Sequence, residues 1–155
     1  NNDIRSEWLT GGATVWRQEI LQKYPHHEIM SRWSVYEDLI FSYPISKKYP
    51  LYVSVSSKIN IGVVTLEDED SQFHRFRGRA SFLWSLYFVL KNKHLSLVSF
   101  SLFKFFEIIS MMIKGIFHKE YYRLFWAAGA LSGVILSLTY FILNKDLIEL
   151  IEEKT

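Results

Sequence analysis

Two adjacent carboxylates, Glu37 and Asp38, stand before a short apolar run that is followed by Pro44. The pattern predicts a short helix that begins at the acidic pair and stops at Pro44. Backbone N–H groups at a helix start lack partners and the helix dipole favours negative charge there, so a carboxylate stays ionised and can accept a proton. The pair is therefore either a catalytic general base or an ordinary acidic helix start.

A glycine pair followed by an aromatic residue and an arginine is a second candidate for chemistry. Gly11 and Gly12 allow the backbone to adopt positive φ or to approach a ligand closely. The residues after them predict a helix capped by Thr14, with Trp16 on one face and Arg17 near the start. The alternative is a tight turn with an arginine on the surface.

A third candidate is a group of polar residues that a helix would bring to one side. Arg75 and Arg79 are four residues apart, so on a helix they point the same way and could hold a diphosphate between them. Gln72 lies nearly one turn before Arg75. The same arginines could instead form ion pairs with the acidic cluster at residues 67–70.

Two patterns raise the question of a metal ion. His26 and His27 are adjacent, so they do not share a helix face, and no third ligand stands at a suitable spacing. Asp68 and Asp70 spell D-x-D, which could hold a divalent ion carrying a nucleotide diphosphate or could form a solvated acidic loop. We predict no metal ligand in this chain.

The composition divides the chain into a mixed first half and an apolar second half. Its 155 residues carry a net charge of +2 and no cysteine, which argues against a nucleic-acid partner and excludes disulfides and thiolate catalysis. Because the chain begins with Asn, we expect it to be a piece of a longer protein. We expect a catalytic part at residues 1–80, a membrane-associated helical region at 81–143 and a polar tail at 144–155.

The first half contains two segments with the pattern of strands. Apolar and polar residues alternate from Leu51 to Ser56, which predicts a half-buried strand. Residues 59–64 predict a second extended segment.

The second half has the pattern of long apolar helices. Between residues 95 and 117 the charges Lys104, Glu107 and Lys114 fall within an arc of about 80° at helical spacing, which predicts a helix at a bilayer surface or one packed on other helices. Residues 124–143 carry no charge and are long enough to span a bilayer. Gly129 and Gly133 have the G-x-x-x-G spacing that lets a second helix approach closely.

Three motifs taken together resemble the C-terminal half of family 2 glycosyltransferases. They are W-L-T-G-G-A-T-V-W-R at residues 8–17, Y-E-D-L-I-F-S-Y at 36–43 and Q-F-H-R-F-R-G-R at 72–79. Their order and spacing match that family, in which a glycine turn lies on the acceptor side, an E-D pair supplies the base and, in processive members, a Q-x-x-R-W motif follows.

The resemblance implies the acceptor-side half of a Rossmann-like GT-A fold, of α/β class, followed by apolar, membrane-associated helices. It implies inverting transfer of a sugar from a nucleotide-diphosphate donor to a glycan or lipid-linked acceptor, in cell-surface polysaccharide synthesis on the cytoplasmic side of a membrane. Asp38 would be the base and Glu37 its support, while Arg75 and Arg79 would balance charge on the diphosphate. Gly11, Gly12, Trp16, Arg17 and Gln72 would bind substrate.

This chain departs from the family pattern at several positions. No nucleotide-binding half and no D-x-D precede Asp38, so the divalent cation, Mg²⁺ or Mn²⁺, would be held by sequence outside this chain. Pro44 stands where many members carry arginine, Asn60 lies near a common metal-contacting histidine, and Phe76 replaces the tryptophan of Q-x-x-R-W. A second hypothesis therefore stays open, in which the chain is a non-catalytic, membrane-anchored interaction module.

Overall fold

The computed structural model describes residues 3–9, 14–25, 36–56, 58, 70–143, 147–148 and 151. The chain forms two compact units, one of Asn1–Glu28 with Tyr36–Val64 and the other of Ile29–Val35 with Thr65–Thr155. Most of the described residues are helical, and their strands form one small sheet. The expected apolar helices are thus present, whereas the Rossmann-like GT-A half stays a prediction.

The sheet of the first unit has two short antiparallel strands. Strand β1 (Ile4–Ser6) pairs with β2 (Leu51–Val53) in a register that sets Ile4 against Val53 and Ser6 against Leu51. The predicted strand is therefore half as long as its alternating pattern, because pairing ends where β1 ends. Leu51 is buried, and it fastens the sheet to the unit.

Two helices of the first unit differ from their predicted bounds. Helix α1 (Gln18–Lys23) begins after Arg17, so Thr14 is not its cap. Helix α2 (Glu37–Ser46) continues through Pro44, and the prediction that it stops there was wrong. Proline deprives an inner turn of one hydrogen bond, but Ile45 is completely buried and its carbonyl accepts from Lys48 and Tyr49, which holds the last turn in place.

The second unit consists mainly of three long helices. They are α3 (Ser71–Lys91), α4 (Leu97–Phe117) and α5 (Tyr122–Leu143). Asp70 caps α3, since its carboxylate accepts from the backbone N–H of Phe73 at 2.6 Å. Helix α3 runs without a break through residue 80, where the sequence analysis divides the catalytic part from the membrane region; that division stays a prediction.

Helices α3 and α5 meet with their backbones in contact. A Cβ atom on Gly129 would lie 1.9 Å from the carbonyl oxygen of Arg75, and one on Gly78 would lie 1.9 Å from the carbonyl oxygen of Trp126. The G-x-x-x-G pattern thus admits a second helix as expected, and α3 supplies a glycine of its own. Only residues without a side chain leave room for this approach.

Helix α4 turns Lys104 and Glu107 inward, while Lys114 and most of its large apolar side chains are exposed. Lys104 is 2% exposed, and its Nζ lies 2.8 Å from Glu107 Oε2. Phe106, by contrast, is 63% exposed and Phe117 is 79% exposed. The predicted charged stripe exists, but its buried end packs within the helices, because Lys104 and Glu107 satisfy each other there.

Among the described residues, α5 is the one helix that is both long enough and apolar enough to cross a bilayer. Its 22 residues span about 33 Å, close to the thickness of a hydrocarbon core. Helix α4 has nearly the same length, with 21 residues, and carries three charges within it.

Gly129→Ala tests the contact between α3 and α5. The new methyl group would meet the Arg75 backbone, which cannot move aside, so we expect the free energy of unfolding to fall by about 3 kcal/mol. Gly133→Ala is the matched control, since its added methyl group would lie farther from its neighbours, 3.2 Å from Phe82 side-chain atoms and 3.3 Å from the Arg79 carbonyl oxygen. We expect a change of less than about 1 kcal/mol there, because helix propensity offsets the crowding. Denaturant unfolding followed by circular dichroism would measure both, and equal losses would contradict the backbone contact.

Candidate functional site

The first unit contains a cleft of about 230 Å³ that holds the acidic pair. Its walls consist of side chains from four places: the segment after β1, the residues before α1, α1 itself and the first turns of α2. The lining residues are Leu9, Thr14, Trp16, Leu21, Glu37, Asp38 and Phe41. Three residues that the sequence analysis assigns to chemistry, Trp16, Glu37 and Asp38, therefore share one cavity.

The two carboxylates occupy the first turn of α2, as the sequence predicts. Glu37 is exposed and Asp38 is half-buried. Tyr36, which precedes them, has a left-handed backbone with φ of 70°, and its side chain makes no capping hydrogen bond. The acidic side chains therefore supply the negative charge that the helix start favours.

Trp16 forms an aromatic wall of the same cleft. Its ring meets the edge of Phe41 at a centroid distance of 5.1 Å, and its Nε1 donates to Thr14 Oγ1 at 3.0 Å. These two contacts restrict the indole, which is half-buried, to one orientation. Thr14 thus positions the aromatic wall of the cleft.

Ser42 connects the acidic turn to the chain after β1. Its hydroxyl is buried, donates to the carbonyl oxygen of Asp38 at 2.6 Å and accepts from the N–H of Leu9 at 3.0 Å. One side chain therefore links two walls of the cleft. The sequence analysis missed this residue, because a serine within an apolar helix run carries no sign of a partner 33 positions away.

Lysines and tyrosines gather in the first unit in a way that the sequence analysis also missed. Lys23 Nζ donates to the Tyr49 hydroxyl at 3.2 Å, and this hydrogen bond raises the pKa of Lys23. Lys48 Nζ lies 5.7 Å from the centroid of the Tyr24 ring. The contacts join α1 to the turn after α2 through cation–π attraction.

Of the other residues assigned to the acceptor side, one belongs to the described part of the chain. Gly11 and Gly12 fall outside the described residues. Arg17 is exposed at the residue before α1. That these three residues contact substrate remains a prediction.

The polar residues of the third motif lie on the first turns of α3, in the second unit. Gln72 and Arg75 are exposed, and Arg79 is half-buried. The guanidinium carbon of Arg75 lies 5.5 Å from the centroid of the Phe125 ring on α5. The helix that the sequence predicts is present, while the diphosphate contact stays a prediction.

The described residues offer no group of three histidine, aspartate or glutamate side chains that could hold a metal ion. Asp70 serves as the cap of α3, while Asp68 and Glu69 fall outside the described residues. The described residues therefore supply no divalent-cation site.

No protein family, curated protein or solved structure matches this chain. The resemblance to family 2 glycosyltransferases rests on the three sequence motifs alone. The cleft around Asp38 is the structural feature from which a function can be argued.

Ser42→Ala tests the link between the two walls of the cleft. Without the hydroxyl the N–H of Leu9 loses its acceptor, so we expect the free energy of unfolding of the chain to fall by about 1–2 kcal/mol. Ser46→Ala is a control on the same helix, because its hydroxyl donates only to the local carbonyl of Tyr43. Denaturant unfolding would compare the two variants, and a smaller loss for Ser42→Ala than for Ser46→Ala would contradict the assignment.

Proposed function

We propose that this chain contributes the acceptor side of an inverting, family 2-like glycosyltransferase. The observation that carries the proposal is the cleft in which Asp38, Glu37 and Trp16 meet. An ionised carboxylate and a fixed aromatic face in one cavity suit a sugar hydroxyl that must lose a proton.

The proposed reaction is a single displacement at the anomeric carbon. The Asp38 carboxylate accepts the proton of the acceptor hydroxyl while the hydroxyl oxygen forms a bond to that carbon. The bond between the carbon and the diphosphate oxygen breaks, and the nucleotide diphosphate leaves with the electron pair. Attack from the face opposite the leaving group inverts the configuration.

Glu37 and Trp16 hold the acceptor in this proposal. Glu37 is the more exposed carboxylate, so it can accept a hydrogen bond from a second hydroxyl without loss of its hydration. The Trp16 ring offers an apolar surface to the C–H groups of a sugar. Phe41 and Thr14 restrict that ring, which lowers the entropy lost on binding.

The donor contacts are proposed at the other motif residues and outside this chain. Arg75 and Arg79 would balance charge on the diphosphate with Gln72 beside them, and Gly11, Gly12 and Arg17 would complete the acceptor side. The nucleotide-binding half of a GT-A fold would come from further sequence. The divalent cation, Mg²⁺ or Mn²⁺, would likewise be held by that further sequence.

The membrane setting is proposed from the apolar helices. Helix α5 is long and apolar enough to span a bilayer, which supports membrane association. The synthesis of cell-surface polysaccharide from a cytoplasmic nucleotide sugar is proposed from the resemblance of the motifs. A lipid-linked or glycan acceptor would suit that position.

The second candidate is a non-catalytic, membrane-anchored interaction module. The observation in its favour is the amount of exposed apolar surface on α4 and α5. The two candidates differ in whether Asp38 takes part in a reaction, and substitution of that residue distinguishes them.

Asp38→Asn in the full-length gene product tests the base. We expect the rate of sugar transfer to fall by about 10²–10⁴-fold, because an amide cannot accept the proton. Donor binding, measured by titration with uridine and guanosine diphosphate sugars, should stay nearly unchanged. Glu19→Gln on α1 is the control, since it removes an exposed carboxylate from a first helical turn outside the cleft lining. Turnover of Asp38→Asn within a few-fold of the unaltered enzyme would reject the assignment and favour the second candidate.

Trp16→Leu tests the acceptor wall in the present chain. We expect binding of soluble oligosaccharides, followed by changes in backbone NMR signals, to weaken about tenfold, which corresponds to about 1.4 kcal/mol. Trp8→Leu is the control, because Trp8 is 44% exposed and does not line the cleft. Equal weakening by both substitutions would contradict a sugar site at Trp16.

A further inference from the structure

One side of α4 presents mostly apolar side chains to the outside. We define this outer face by six residues, each at least half exposed: Leu102, Phe103, Phe106, Ile113, Ile116 and Phe117. At helical spacing they cover an arc of about 140°, within which Ser99 and Ser110 are the polar residues. An apolar stripe of this width needs an apolar neighbour, which the described helices do not supply.

The charged residues of α4 lie outside this arc: the exposed Lys114 borders it, and Lys104 and Glu107 lie on the side that makes the helix contacts. Lys104 is 2% exposed and forms its ion pair with Glu107. On the same side Phe100 packs against Phe82 of α3 at a centroid distance of 5.7 Å, and an Arg123 nitrogen of α5 lies 3.6 Å from the Met111 sulfur. Lysine is seldom fully buried unless it is paired, and charges within a bilayer likewise face the protein interior and pair with each other, so this ion pair is compatible with a helix in lipid.

Helix α5 also exposes apolar side chains near its C-terminal end. Ile135 is 65% exposed and Ile142 is 81% exposed. The connection from α4 to α5 is short and polar, with an ion pair between Glu120 and Arg123 and a left-handed backbone at Lys119. Both helices therefore carry exposed apolar surface, and the connection between them carries polar groups.

The charge of the helical region decides between lipid and a second copy of the chain. Residues 70–143 contain nine lysines and arginines and three aspartates and glutamates, a net charge of +6. Lys91 and Lys93 precede α4, while Lys119 and Arg123 follow it. Two copies with this charge repel each other, whereas the headgroups of an anionic bilayer attract it.

We propose that the outer face of α4, together with α5, contacts the acyl chains of an anionic bilayer, and that the Lys104–Glu107 pair is the charge that α4 turns away from lipid. The inference adds α4 to the membrane surface beside the helix whose composition alone would allow it to span. It does not depend on sugar transfer, so either proposal can fail without the other.

A single-cysteine labelling experiment tests the proposal, and the absence of native cysteine makes every label unique. Phe106→Cys and Lys93→Cys of the whole 155-residue chain would each carry the fluorophore NBD and be mixed with vesicles of phosphatidylcholine and phosphatidylglycerol. Both parent residues are exposed, so neither label disturbs the interior. We expect emission at Phe106→Cys to shift to the blue and to be quenched by doxyl-labelled lipid, whereas aqueous iodide should quench Lys93→Cys.

Two results would overturn the proposal. One is equal quenching of both labels by iodide in the presence of vesicles, which would leave the outer face in water. The other is protection of Phe106→Cys from iodide without doxyl quenching, together with energy transfer between differently labelled copies, which would assign the face to self-association. Vesicles of phosphatidylcholine alone should bind less of the chain, and equal binding would contradict the role of the positive charge.

Discussion

The contact of α3 with α5 through their backbones is the constraint on which the second unit depends. Gly78 and Gly129 each face a carbonyl group of the other helix at a distance that excludes any side chain. Dispersion attraction is largest when helices approach this closely, and it works as well in lipid as in water. The core side chains Leu83 and Trp84 are fully buried as a result.

Helix α4 contacts α3 and α5 through side chains. It meets α5 near Gly115, where an added Cβ would lie 2.7 Å from a Leu124 side-chain atom, and it meets α3 at Phe100. One narrow side therefore makes all these contacts, and the wide apolar side has no neighbour in the described helices. The ion pair of Lys104 lies on the narrow side, because there a charge can be paired while it is removed from solvent.

In the first unit, hydrogen bonds hold the walls of the cleft together. Its cleft depends on Ser42, which joins Leu9 to the turn that carries Asp38, and on Thr14, which restricts Trp16. The Ser42 contact with Leu9 joins segments 33 positions apart, whereas Thr14 and Trp16 are two positions apart. Each of these buried or half-buried hydrogen bonds is worth most when its partner has no alternative in water. The proposed chemistry uses that arrangement, since a base is effective only when the acceptor meets it in one geometry.

The amino-acid sequence by itself determined the long apolar helices, the acidic first turn of α2 and the glycine spacing on α5. These features depend on local periodicity and on the absence of side chains, both of which can be read directly. It did not determine the strand at Ile4–Ser6, which depends on pairing with Leu51–Val53. The start of α1 and the passage of α2 through Pro44 also differ from what the local pattern predicts. Only the tertiary structure decided that Trp16 shares a cleft with Glu37 and Asp38 and that Lys104 faces inward, since burial and pairing are properties of the packed chain and not of its order of residues.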